Sequence, residues 1–186
     1  MARQVHLFDR PDRFVAGTVG QPGDRTFYLQ ASGEGRTVSV ALEKVQVTLL
    51  ADRLEELLGE VHRRLGVPPP VEPTDDDNEP LDTPVDEEFR VGAMGLAWDG
   101  DAGLVVVEAQ AAGDEPADES TILEDVEDGP DVLRVRITSA EAIAFVQRAR
   151  RVLSAGRPPC PLCGLPLDAS GHICPRQNGY RRTPAA

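Results

Sequence analysis

Along residues 4–42, short strand-like runs are cut by turn residues, and the last of them alternates apolar and polar positions with the period of two that marks a half-buried β-strand. Strands are expected at 4–8, 14–20, 26–31 and 37–42, the last through Val38, Val40 and Leu42. Turn chemistry separates them: Pro11 between aspartates, then Gln21-Pro22-Gly23-Asp24, then Ser32-Gly33-Glu34-Gly35. The period then lengthens. Leu50, Leu54, Leu57, Leu58, Val61 and Leu65 share one face at helical spacing, which predicts an amphipathic helix over 44–66. Gly66 and the triplet Pro68-Pro69-Pro70 end it.

After residue 88 the pattern begins again. Phe89 to Gly95 repeats the F-x-x-G-x-x-G of Phe14 to Gly20, and 104–109 and 132–137 read as further strands. Thr138-Ser139-Ala140-Glu141 is a capping box, in which hydroxyl and carboxylate each satisfy an orphan amide. The helix it opens runs to about residue 153, with Ile143, Val146, Ala149 and Leu153 inward, and Gly156 and Pro158-Pro159 close it. The expected fold is α+β: an antiparallel sheet built from two duplicated three-strand-plus-helix halves, with both helices on one face. The first strand is an extra one. Glycines inside strands admit a close approach, read here as tight packing of helix on sheet, or alternatively as the lining of a cleft between the halves.

Charge sharpens the division of the chain. Residues 67–88 hold nine acids, six prolines and no base, the composition of a solvated linker, and 114–131 hold nine more acids. The duplicated domain is expected at 1–156, with halves at about 1–66 and 89–156. A small metal knuckle is expected at 157–180 and a disordered tail at 181–186. The net charge of −13 is uneven. From residue 157 onward four arginines oppose Asp168 alone, +3, which leaves −16 on residues 1–156. Such a body repels nucleic acid, whereas the tail attracts it. No apolar run approaches the length of a membrane span, and the N-terminus lacks an apolar signal core, so the cytoplasm is the expected compartment.

All three cysteines lie in one stretch, Cys160-Pro-Leu-Cys163 followed by Gly171-His172-Ile-Cys174-Pro175. C-x2-C brings two thiolates to one point when the chain turns sharply, and Gly164 supplies the positive φ for that turn. His172 and Cys174, two apart, point to the same side of an extended segment. Cys160, Cys163, His172 and Cys174 together form a closed Cys3His set of the structural type, with zinc as the expected ion. The rival fourth ligands are water, His6 or His62. An odd cysteine count argues against a disulfide framework. A catalytic metal lacks support: there is no H-E-x-x-H pattern, and Asp168 is the only acid inside the loop.

Phe14-Val-Ala-Gly-Thr-Val-Gly, Phe27-Tyr-Leu-Gln-Ala31 and the tail Cys-Pro-Leu-Cys…Gly-His-Ile-Cys-Pro-Arg-Gln-Asn-Gly-Tyr resemble an uncharacterised family of proteins from high-GC Gram-positive bacteria. The resemblance covers both halves and the knuckle. It implies a protein of unknown function whose relatives are encoded near a phosphomutase-like histidine phosphatase and a lipid-kinase-like protein, and it carries over no catalytic residue.

Three roles follow from the residues. The first is a protein-interaction or regulatory module that presents a rigid zinc knuckle to a protein partner. The second is nucleic-acid binding through the tail, where Arg176, Tyr180, Arg181 and Arg182 combine charge with one stacking ring and Gln177 and Asn178 add hydrogen bonds. The third is an enzyme or small-ligand site between the halves, drawing on His6, Tyr28, His62 and Glu108. Each of these has a plainer home: His6 and Tyr28 packed or at a strand edge, His62 in solvent beside Arg63 and Arg64, Glu108 facing water after Val105 to Val107. Trp98, before the turn at Asp99-Gly100, is expected to plug the core. No serine, cysteine or aspartate has a recognisable nucleophile setting.

Overall fold

In the computed structural model, residues 3–69, 76–113, 122–167 and 171–176 are described. The elements in order are β1 (Val5–Asp9), β2 (Arg13–Gln21), β3 (Asp24–Gly33), β4 (Arg36–Leu42), α1 (Lys44–Leu65), β5 (Glu87–Asp99), β6 (Leu104–Ala111), β7 (Val132–Ile137) and α2 (Ser139–Ser154). The strands form one seven-stranded sheet in the order β1-β7-β6-β5-β4-β3-β2. Two antiparallel meanders, β2-β3-β4 and β5-β6-β7, meet through a parallel contact of β4 with β5, and β1 adds in parallel to β7. The sheet is therefore mixed rather than wholly antiparallel. The β4–β5 join is spanned by α1, because a parallel neighbour needs a crossover longer than a hairpin; the β1–β7 join pairs strands separated by most of the chain.

The two edge strands are covalent neighbours. Laid flat, six inter-strand spacings would separate them by about 29 Å. The four Cα steps from Asp9 to Arg13 reach at most about 15 Å. The sheet must curl, and β1 comes to lie against β3. There the Arg36 guanidinium sits 4.3 Å from the centre of the Phe8 ring and donates to the Leu7 carbonyl.

One face of the sheet builds the core with both helices. Ala16, Leu29, Val40, Val105, Val107, Leu133 and Val135 pack against Leu50, Leu54, Phe145 and Ala149, and Phe14 stacks on Phe145 at 4.8 Å between ring centres. On α1 the buried stripe is Val47, Leu50, Ala51, Leu54, Leu58 and Val61, whereas Leu65, expected inward, is exposed at the last turn. On α2 the stripe is rotated from the expected one: Ala142, Phe145, Val146 and Ala149 are buried, and Ile143 and Leu153 only partly. Trp98 also packs only partly against this core. The Thr138–Glu141 capping box forms as read. A second box, Glu43 with Gln46, opens α1; its glutamate in the capping position hid it.

The other face is covered by the acid-rich segments. Of the stretch 67–88 expected to be solvated, residues 76–86 lie against β2 and β3, with Leu81 buried over Gly17. A Cβ on Gly17 would come within 2.5 Å of a Leu81 methyl, so the glycine makes room for this segment and not for a helix. Gln30 pairs with Asp82 as a strand would, accepting from its N–H (2.7 Å) and donating to its carbonyl (3.0 Å). Gly95 makes the equivalent room for Ile122, whose methyl a Cβ would meet at 2.1 Å. The shared F-x-x-G-x-x-G does not share a register: Gly20 faces Arg25, one pair from the end of its hairpin, whereas Gly95 faces Glu108, four pairs from the end of its own. The recurrence the structure displays is one of element order.

Candidate metal centre

Beyond α2 the chain turns back on itself through Pro159 and Pro166, which form an isolated antiparallel bridge. Leu167 N–H donates to the Pro158 carbonyl (2.9 Å), Cys160 N–H to Leu165 (2.7 Å) and Gly164 N–H to Cys160 (2.8 Å). Gly164 takes φ 76° and Gly171 φ 88°, left-handed values that a side chain rarely adopts. This tight loop puts Cys160 and Cys163 on one point, and the segment 171–176 brings His172 and Cys174 to the same point. The ligand atoms of Cys160, Cys163, His172 and Cys174 all lie within 4.8 Å of one another. Cys160 and Cys174 are buried with their sulfurs 3.9 Å apart, and the Cys163 sulfur is 3.2 Å from His172 Nε2.

The 3.9 Å and 3.2 Å spacings are close to the edges of a tetrahedral site, and no pair of ligand atoms exceeds 4.8 Å. Zinc–sulfur bonds of about 2.3 Å and a zinc–nitrogen bond of about 2.0–2.1 Å set sulfur–sulfur edges near 3.8 Å and sulfur–nitrogen edges near 3.5 Å. All three cysteines are free thiols, so no disulfide competes for them. Their ionisation is unequal. Burial pushes the Cys160 thiol up, but the amides of Cys163 and Leu162 and the neighbouring thiols outweigh it and hold Cys160 below the ordinary thiol value. The Leu165 amide pulls the Cys163 thiol down, while burial and the charge on Cys160 push it up, and the rise wins. Gathering several thiolates at this spacing calls for a cation among them. The donor set, three sulfurs and an imidazole, is that of structural zinc sites, and the group can hold a metal ion.

The rival fourth ligands are elsewhere. His6 is buried in β1 and tilted against Phe89, and His62 sits at the exposed end of α1 with Nδ1 2.7 Å from the Val67 carbonyl. Of the basic tail, Arg176 is exposed beside Cys174; Gln177, Asn178, Tyr180, Arg181 and Arg182 lie outside the described residues.

His6, Tyr28, His62 and Glu108 do not converge. A groove of about 690 Å³ between α1 and β5 is lined by Leu49, Leu57, Met94 and Leu96 with Arg53, Glu56 and Glu60 at its rim, and by none of the four. Glu108, expected to face water, is fully buried on the sheet face opposite the helices. It accepts from Arg3 (3.0 Å), Arg134 (2.7 Å), the Gln110 amide (3.0 Å) and the Leu123 N–H (3.0 Å). Asp125 binds the far side of Arg134 at 2.6 Å, so two cations meet two carboxylates. A similar cluster at the β2 edge was missed in the sequence. Arg148, buried on α2, donates to the Ala16, Asp77 and Glu79 carbonyls and to the Asp77 carboxylate, which Arg13 also grips with two nitrogens. Its one signal was a charge inside the apolar stripe, three residues after Phe145. Both clusters fasten acid-rich segments to the sheet, which is a structural task.

A family model described as "Protein of unknown function (DUF3090)" matches residues 6–174. The chain belongs to that family. The matched region runs from β1 through the last ligand, Cys174, so it takes in the sheet, both helices and the Cys3His cluster. No curated protein and no solved structure matches the chain. Among the described residues no helix is long and apolar enough to cross a membrane.

Proposed function

We propose that this protein is a zinc-binding interaction module: Cys160, Cys163, His172 and Cys174 hold a structural zinc, and the knuckle folded around it docks a protein partner. The observation that carries the reading is the convergence of four soft donor atoms within 4.8 Å. A site closed by four protein ligands leaves no position for substrate, which favours a structural over a catalytic ion. With metal at its centre, the knuckle turns its apolar side chains outward. Leu162 and Leu165 are about half exposed, at 52% and 51%, and Ile173 stands between two ligands at 86%. Apolar side chains held out on a rigid scaffold are the raw material of a protein interface.

The test measures metal and partner together. Elemental analysis of protein purified without chelators is expected to give one zinc per chain, and Cys163→Ser to lower it. Ile173→Ser is expected to keep zinc while losing the proteins that co-purify with the native chain, identified by mass spectrometry. Protein free of stoichiometric metal would sink the metal half of the reading. Unchanged partners with both variants would sink the interaction half.

A further inference from the structure

The four donors of the knuckle are not equally reachable. Cys160 and Cys174 are buried, at 6% and 4% exposure, whereas Cys163 is half-buried and sits beside His172. The chain holds three cysteines in all, and their sulfurs lie within 4.8 Å of one another. Any two therefore reach disulfide distance by side-chain rotation and a small backbone shift, with no unfolding of the body. Exposure decides where an oxidant in solution arrives first.

We infer that the knuckle is an oxidative modification site at which a peroxide attacks Cys163, a disulfide forms with Cys160 or Cys174, and the metal is expelled. This rests on the metal reading above. In the first step the Cys163 thiolate attacks one peroxide oxygen. The O–O bond breaks, hydroxide leaves, and the sulfur is oxidised to a sulfenic acid. In the second step the thiolate of Cys160 or Cys174 attacks that sulfur. The S–S bond forms, the S–O bond breaks, and a second hydroxide leaves. Two thiolates have given two electrons to one peroxide, and the two hydroxides take protons from solvent to become water. The ion is left with one thiolate and His172, half its ligands, and departs. Without it, the four-point tie that sets Ile173 and its segment against the loop of Leu162 and Leu165 is gone, and the arrangement of the three changes. The docking surface then exists only while the thiols are reduced.

The experiment treats the zinc-loaded full chain with hydrogen peroxide, follows released zinc with a chromophoric chelator, and maps the thiols by alkylation and mass spectrometry. The expected result is release of zinc in step with the loss of two thiols, a disulfide that contains Cys163, and a remaining free thiol at Cys160 or Cys174. A sulfenic-acid trap added in the first moments of oxidation of the native zinc-loaded chain is expected to label Cys163 at least tenfold more than Cys160 or Cys174. Two results overturn the inference: a Cys160–Cys174 disulfide with Cys163 still alkylatable, or zinc retained until the cysteines reach sulfonic acid. If the purified chain carries no metal, the metal reading fails on its own. Trapping the sulfenic acid on the metal-free chain still decides the order of attack, since first labelling at Cys163 supports it and first labelling at Cys160 or Cys174 refutes it.

Discussion

Replacing Glu108 by Gln tests the most consequential buried charge in the body. The side chain is fully buried, and it neutralises Arg3, whose side chain is 1% exposed, together with Arg134. The two arginines are not equally exposed to the loss. Arg134 keeps Asp125 at 2.6 Å, whereas Arg3 keeps, among the described residues, a hydrogen bond to the Glu124 carbonyl at 3.0 Å and the more distant charge of Asp125. Glutamine keeps the shape and one acceptor oxygen, and turns an amide towards groups that are already donors. Stranding one member of a buried ion pair costs about 3–5 kcal/mol, a large share of the roughly 5–15 kcal/mol that holds a domain together. Because Arg134 retains an anion, the lower end applies, about 3 kcal/mol. With a urea slope of about 2 kcal/mol per molar, the unfolding midpoint should fall by about 1.5 M. Trp98, the only tryptophan and partly packed against the core, reports the transition by fluorescence. Arg3→Met added to Glu108→Gln should recover part of the loss, because the stranded cation is gone. A midpoint shift below about 0.3 M, or no recovery in the double variant, refutes the reasoning.

Three further outcomes are expected. Gly17→Ala should cost about 1–3 kcal/mol in urea unfolding and expose the 76–86 segment to protease, because its methyl meets Leu81. Gly59→Ala, in open space on α1, should instead raise stability by about 0.5–1 kcal/mol. Asp77 supplies an acid limb to the stability curve: its hydrogen bonds from Arg13, aided by the charge of Arg148 and opposed by burial, hold its carboxyl below the usual carboxylate range. Its contribution is therefore complete above the unfolded value of about 3.9 and disappears as pH falls through the lower folded value, and Asp77→Asn should flatten that limb in urea titrations from pH 7 to pH 3. Stripping metal with a chelator should speed hydrogen exchange across 157–176 while leaving the main thermal transition in place, because the core is formed by the sheet and helices alone.

Local signals determined a good deal of this protein. Turn residues, β-rich runs, the alternation of 37–42 and the 3.6 period of the helices place all seven strands and both helices, since each is a property of the local chain and needs no knowledge of partners. The Cys3His group was legible for a similar reason: its ligands lie within fifteen residues, so loop geometry alone brings them together. Partnership across long separations belonged to the tertiary structure. The parallel joins β4-β5 and β7-β1, and the curl that brings β1 to β3, depend on which edges meet, and periodicity carries no such information. The acid-rich segments show the same limit. Their composition says solvent, yet Leu81 and Ile122 find glycines to cover, and Arg13, Arg148, Arg3 and Arg134 find the carboxylates. Those arginines lie tens of residues or more from their partners, except Arg134, so only the folded chain could reveal that a charge was stranded in the interior and which opposite charge kept it there.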